Sequence, residues 1–132
     1  MTTNVYVYAL DHADLGKQAL VRALLKSLQD KLLGVVSTQV FQEFFVVATS
    51  KLKLEHQLSK KIFAYLANFK TVTVDLPIIK QATDICSADY ISLWNALIIA
   101  SAKASGYRLI WTEGLNHEQV INCIRIENPF LL

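Results

Sequence analysis

Small polar and acidic residues stand where predicted helices begin or predicted strands end. They are Thr2-Thr3-Asn4 before the first apolar run, Glu43, Asn95 and Thr112-Glu113-Gly114. Ser92 is a good N-cap because its hydroxyl accepts from the first helical turn, which places Asn95 in that turn. Open α/β sheets bind ligands at the C-terminal ends of their strands, so Asn95 and Glu113 are expected to face one cleft. Taken singly, each such residue is more often a cap or a solvated side chain than part of a site.

The elements that must position these residues alternate between helices and strands. Apolar residues at helical spacing predict helices over 15–33, 39–52, 55–69, 76–87 and 93–105, the last one ended by Gly106. Short apolar or β-branched runs predict strands at 35–36, 71–75, 109–111 and 124–126. Residues 4–10 read equally well as a strand or as a short buried helix. Helices alternating with strands predict an α/β fold with a parallel sheet covered on both faces.

Two of the predicted helices have an apolar face that can be named. The inward residues of the 15–33 helix are expected to be Leu20, Ala23, Leu24, Leu28 and Leu32. Those of the 55–69 helix are expected to be Leu58, Ile62, Phe63, Leu66 and Phe69, with a break near Ser59. Gly34 is expected to end the first of these helices, and Ser37 or Thr38 to cap the helix that follows.

Composition excludes several classes of protein. Hydrophobic residues make up 53% of the 132 residues and charged residues 18%, which excludes an intrinsically disordered chain. The net charge of +2 permits contact with nucleic acid without arguing for it. Cys86 and Cys123 form no disulfide framework and are expected to be free thiols in a reducing cytosol. The sequence shows no signal peptide and no apolar run of about 18 residues, so we expect a cytoplasmic domain with no membrane span.

The common catalytic motifs are absent from the sequence. No GxGxxG, GxxxxGK[ST], HExxH, CxxC or GxSxG occurs, which removes the nucleotide-binding, zinc-protease, redox and hydrolase-elbow interpretations. His12, His56 and His117 are far apart in polar stretches. Each is expected to be a surface histidine without a role.

The order of the polar segments resembles that of PIN-domain proteins, the metal-dependent ribonuclease fold that includes many toxins of bacterial toxin–antitoxin pairs. The matching segments are Thr3–Ala9, Ser37–Phe44, Ser92–Ile98, Thr112–His117 and Glu127–Phe130. They occur in family order and span essentially the whole chain. The resemblance implies one PIN-like domain over residues 1–132, built as a three-layer α/β/α sandwich with a short, mostly parallel central sheet.

The resemblance also implies a site built from acids. In the family an Asp-Thr-Asn opens the domain, a Glu follows, a Trp-Asp-Ala starts the late helix and a Thr-x-Asp ends the next strand. These acids hold Mg²⁺ or Mn²⁺, which activates water and neutralises charge on the scissile phosphate. Here Thr2, Asn95 and Gly114 replace three of the acids, and Glu43 alone keeps its carboxylate. By resemblance the catalytic candidates are Glu43, Asn95, Glu113 and Asn4, and Glu43 is the metal ligand.

The departure from the family pattern has a physical consequence. Losing about three negative charges from one cleft should weaken binding of a divalent ion greatly. A second departure concerns the strand that family members carry before Asp-Thr-Asn. Met1 directly precedes Thr2, so either the sequence begins after that strand or Asn4–Tyr8 supplies part of it.

Three functions remain open. The first is a Mg²⁺- or Mn²⁺-dependent ribonuclease, the second a catalytically silent domain that binds RNA, and the third a protein-interaction module such as half of a toxin–antitoxin-like complex. Candidate phosphate contacts are Lys51, Lys53, Lys60, Lys61 and Arg108, although scattered cations usually form only a solvated face. Phe63, Tyr65 and Phe69 make a homodimer plausible. We expect a PIN-like, toxin-type domain whose catalysis is weak or lost.

Overall fold

Helices dominate the chain, and short strands connect them. The computed structural model describes residues 3–11, 13–30 and 34–131. The helices are α1 (Thr3–Tyr8), α2 (Leu15–Asp30), α3 (Thr38–Ser50), α4 (His56–Leu66), α5 (Leu76–Asp89) and α6 (Leu93–Ala104), with a 3₁₀ turn at Pro129–Leu131. The strands are β1 (Val35–Ser37), β2 (Lys70–Val72), β3 (Leu109–Trp111), β4 (Val120–Ile121) and β5 (Ile124–Glu127). The predicted α/β fold class is confirmed: small, mostly parallel sheets with helices, consistent with a PIN-like α/β/α fold.

The chain forms two compact units, Thr3–Thr71 and Val72–Leu132. In the first unit α1 packs against α2 and α3, α3 packs against α4, and β1 pairs with β2. The idea that Asn4–Tyr8 supplies part of a strand is wrong, because these residues lie in α1. Val5 and Tyr6 of α1 are buried, so the side chains of this apolar run are removed from water by packing of a helix rather than by a sheet.

The buried faces of α2 and α4 agree only in part with the predicted ones. Leu66 of α4 is buried as predicted, and Leu24, Leu28, Ile62 and Phe69 are half-buried. In α2 the buried residues are Gln18, Val21 and Leu25, whereas Leu20 and Ala23 are exposed. The face is rotated by about one residue because the helix packs along the i, i+3, i+7 row that begins at Gln18. The predicted residue Leu32 lies outside the described residues.

In α4 the residue predicted to break the helix is instead fully buried. Ser59 is 0% exposed, whereas Leu58 is 45% exposed and Phe63 40%. The ring of Phe63 lies 4.6 Å from that of Phe41 on α3, centroid to centroid. Ser59 is therefore part of the buried face of α4, which the sequence did not predict.

A local signal begins α3 as predicted, whereas the prediction that Gly34 ends α2 stays a prediction, because residues 31–33 lie outside the described residues. Ser37 accepts a hydrogen bond from the N–H of Val40 at 3.4 Å, so Ser37 rather than Thr38 is the cap of α3. Gly34 has φ +143°, and a Cβ there would meet Phe69 at 2.9 Å, so glycine is required.

In the second unit α5 packs against α6, and α6 contacts a three-stranded sheet with the strand order β3-β5-β4. β3 runs parallel to β5 with Trp111 opposite Glu127, and β4 is antiparallel to β5. The sequence did not predict β4. It is joined to β5 by Asn122 and Cys123, both with positive φ (52° and 67°), as a tight two-residue hairpin requires. Isoleucines from each layer fill the core, among them Ile85, Ile99, Ile110, Ile124 and Ile126.

Two further expectations concern the described residues as a whole. Cys86 and Cys123 are free thiols, as predicted. No helix formed by residues 3–11, 13–30 and 34–131 is long and apolar enough to cross a membrane.

Candidate functional site

Glu43 projects from α3 in the first unit, and its side chain is exposed. Its carboxylate accepts a hydrogen bond from Nε2 of Gln39 at 2.6 Å. Gln39 is only 6% exposed, so a buried amide one turn earlier orients the carboxylate. Sequence reasoning missed Gln39, although the i, i+4 spacing of an amide and an acid on one helix was the available signal.

The opening polar segment contributes two described positions, Thr3 and Asn4, of which Asn4 is the predicted site residue. Asn4 lies in α1, which packs against α3, the helix that carries Glu43. The two predicted positions therefore stand on neighbouring helices of one unit. Thr2, which the resemblance places where the family has its first acid, lies outside the described residues.

Asn95 lies in the first turn of α6, as the sequence predicted. Its N–H donates to the hydroxyl of Ser92 at 3.2 Å, which confirms Ser92 as the cap. The residue is half-buried. Because it lies in the first turn, it stands at a helix N-terminus, where the backbone dipole favours negative charge. The side chain of Asn95 is uncharged, so it gains no stabilisation from this dipole.

The segment after β3 is shaped by Thr112. This threonine is 1% exposed, and its hydroxyl accepts from the N–H of Gly114 at 3.1 Å. Its own N–H donates to the carbonyl of Glu127 at 3.0 Å, which extends the pairing with β5. Glu113 is half-buried and Gly114 is exposed. The strand end therefore presents the carboxylate of Glu113, while the predicted position of a replaced acid offers only backbone.

A second acid shares this edge of the sheet. Because β3 and β5 are parallel, Glu127 stands at the same edge as Glu113. Its carboxylate lies 3.0 Å from Nε of Arg125, a cation two residues earlier on the same strand. Sequence reasoning quoted Glu127 for the family order but did not treat it as a site residue. Its position at the end of a buried strand was the missed signal.

His117 has a structural role, where the sequence predicted none. Its Nδ1 accepts from the N–H of Asn128 at 3.0 Å, and its side chain is 23% exposed. The bond ties the turn after β3 to the residues that follow β5. His56 is exposed, and its ring makes an edge contact with Phe45 at 5.6 Å; His12 lies outside the described residues.

The donors do not fit the divalent site of the family pattern. Among the residues that the structure describes, no group of three or more His, Cys, Asp or Glu is arranged to hold a metal ion. A hard cation such as Mg²⁺ or Mn²⁺ prefers several oxygen ligands, carboxylates above all. At the positions of the family's acids, the described residues offer one exposed glutamate, one amide and a glycine, and Glu113 stands one residue before the last of these. No reaction step through a metal follows from these residues.

The predicted RNA-contact residues are on the surface. Lys51 caps the C-terminus of α3, and Lys53 follows with φ 52°; both are exposed and belong to the first unit. Arg108 is exposed just before β3 in the second unit, and its carbonyl accepts from the N–H of Arg125 at 2.7 Å.

These features describe a mixed α/β protein whose polar and acidic residues stand at helix starts and strand ends. The family model for the PIN domain matches residues 3–121, and the chain belongs to the PIN-domain family. The fold is therefore of the nuclease type. The match includes Asn4, Glu43, Asn95 and the segment after β3, whereas Glu127 lies beyond it. Comparison with curated proteins found no match.

Proposed function

We propose that this protein is a toxin-type PIN domain that binds RNA and whose metal-dependent cleavage of RNA is weak or lost. The observation that carries the proposal is the PIN family match, taken together with the resemblance, which implies that acids are replaced within the matched residues. Asn95 and Gly114 lie within residues 3–121, where the family pattern has aspartates, and Glu43 alone keeps its carboxylate. The family supplies the association with nucleic acid.

Charge decides between cleavage and binding. Each lost carboxylate removes attraction for Mg²⁺ or Mn²⁺, and the remaining Glu43 is exposed, where water screens its charge. The same loss removes repulsion between the protein and the phosphates of RNA. Lys51, Lys53 and Arg108 are exposed cations that would contact those phosphates. The replaced acids therefore weaken the ion site and favour retention of RNA.

Titration with Mn²⁺ and Mg²⁺ by calorimetry, together with anisotropy of a labelled RNA oligonucleotide, tests this proposal. We expect no micromolar ion binding, slow or absent cleavage, and RNA binding that weakens as salt rises. Micromolar Mn²⁺ binding that disappears in Glu43→Ala, accompanied by RNA cleavage, would show a working nuclease. Absence of RNA binding at low salt would refute the RNA function.

Restoring one acid sharpens the test. Asn95→Asp places a carboxylate in the first turn of α6 and should tighten Mn²⁺ binding measurably and raise any cleavage. Asn116→Asp is the matched control, because Asn116 is exposed and stands outside the family's acidic positions. Equal responses of the two variants would mean that total charge, rather than the position of residue 95, controls ion binding.

A protein-interaction role is the second candidate, and the surface of α4 favours it. Leu58 is 45% exposed and Phe63 40%, on a helix whose other face is buried. These side chains would lie in the interface of a homodimer or against an antitoxin-like partner in the cytoplasm. Sedimentation velocity over a range of concentrations tests the homodimer, and a monomer at every concentration would exclude it. Leu58→Gln should shift the equilibrium towards monomer.

A further inference from the structure

An apolar cavity of about 400 Å³ opens among the four helices of the first unit. Its wall includes Leu25 from α2, Phe44 from α3 and Leu66 from α4, each at most 8% exposed. α1 contributes Tyr6, and Ala9 follows directly after the helix. The volume lies in the range of pockets that bind small molecules, and apolar walls of this kind hold the body of such a ligand.

The cations at this cavity all come from α2 and α4. Arg22, Lys26 and Lys61 line it, and all three are exposed. Nε of Arg22 donates to the carbonyl of Ala9 at 2.8 Å, which fixes the guanidinium against the end of α1. Among the described residues that line the cavity, none is acidic. An apolar interior with only positive charge at its mouth is complementary to an amphipathic anion.

Tyr6 adds a polar group to the apolar wall. Its side chain is 4% exposed, and burial, with a smaller contribution from Tyr65, raises the pKa of its hydroxyl well above 10. The phenol therefore keeps its proton at neutral pH and is a hydrogen-bond donor. Tyr65 of α4 lines the same cavity and is half-buried. Two phenols and three cations are the kind of few, convergent polar groups that orient a ligand.

We propose that this cavity binds a small amphipathic carboxylate, with its hydrocarbon body against Leu25, Phe44 and Leu66 and its carboxylate at Arg22, Lys26 and Lys61. The size follows from the volume: at roughly 30 Å³ for each water-sized group, the cavity holds about a dozen non-hydrogen atoms. An aliphatic or aryl carboxylate of medium length meets both requirements. The RNA contacts of the proposed function, Lys51, Lys53 and Arg108, do not line this cavity, and neither proposal depends on the other.

Calorimetric titration of the whole chain with octanoate and with octanol tests the site. We expect saturable octanoate binding that is several-fold tighter than octanol binding. Lys61→Gln should weaken octanoate about two- to five-fold, as loss of one exposed charge pair does, and leave octanol unchanged. Lys60→Gln is the matched control, since Lys60 is the exposed neighbour on α4 and does not line the cavity. It should change neither ligand.

A second variant keeps the test independent of charge. Ile62→Trp fills the cavity from its half-buried wall and should abolish binding of both ligands, with circular dichroism confirming that the variant is folded. Equal affinity for octanoate and octanol, equal effects of Lys60→Gln and Lys61→Gln, or unchanged binding in a folded Ile62→Trp would each overturn the proposal. So would the absence of saturable octanoate binding. RNA anisotropy on the same samples reports the other function separately.

Discussion

The buried hydroxyl of Ser59 provides a sharp test of which face of α4 is covered. Ser59 is 0% exposed, and among the described residues its Oγ has no hydrogen-bond partner. Burial of an unpartnered hydroxyl costs about 1–3 kcal/mol. Alanine also favours a helix over serine by about 0.5 kcal/mol. Ser59→Ala removes one oxygen from a tight contact and loses a little dispersion, so we expect the free energy of unfolding to rise by about 1–2 kcal/mol.

The matched control is Ser27→Ala, because Ser27 is exposed near the end of α2. It should gain only the difference in helix propensity, about 0.5 kcal/mol. The difference between the two variants isolates the buried hydroxyl. Urea denaturation followed by circular dichroism is the assay, because its signal includes the helices of the first unit, whereas the fluorescence of Trp94 and Trp111 reports only the second unit.

Two outcomes would contradict this reasoning. A destabilised Ser59→Ala would mean that the oxygen fills space that alanine leaves empty, or that a water molecule satisfies it. A gain equal to that of Ser27→Ala would mean that burial of the hydroxyl costs nothing at this contact. In either case burial of an unpartnered hydroxyl would not be a cost that α4 bears at Ser59.

Two further predictions concern a helix cap and a buried phenol. Asp75 accepts from the N–H of Ile78 at 3.1 Å, so Asp75→Ala should destabilise the second unit by about 1 kcal/mol in urea denaturation, whereas Asp84→Ala, mid-helix and exposed, should have little effect. Burial raises the pKa of Tyr6 above the ordinary 10.0. The resulting stability is fully present below about pH 10 and is lost as the pH rises from there towards the folded value. Tyr6→Phe should reduce this alkaline loss, and an unchanged pH dependence of unfolding would show that Tyr6 is not its source.

The sequence predicted the features that depend on neighbouring residues. Ser92 capping α6 and Gly106 ending it, with φ +79°, are confirmed, because the bonds involved join residues a few positions apart. The β-strand at Leu109–Trp111 is confirmed for a similar reason, since its apolar run is short and bounded. The order of polar segments predicted the PIN family, and the family match confirms it.

The sequence could not decide features that depend on distant contacts. Residues 4–8 fit a strand or a helix, and packing of Val5 and Tyr6 within the first unit selects the helix. The β4–β5 hairpin was missed because Asn122-Cys123 lacks the usual Asn-Gly signal, although both residues adopt positive φ.

The candidate site also has some features that the sequence predicted and others that only the structure showed. Sequence and resemblance predicted that Asn95 begins a helix and that Glu113 follows a strand, and both positions are as expected. Only the tertiary structure showed that Gln39 holds the carboxylate of Glu43, and that the parallel register brings Glu127 to the edge of the sheet beside Glu113. Helix caps and strand ends depend on hydrogen bonds between residues a few positions apart, so they can be predicted from the sequence. Which face a helix buries, and which strands pair, depends on contacts between residues that are distant in the sequence. Only the tertiary structure shows these contacts.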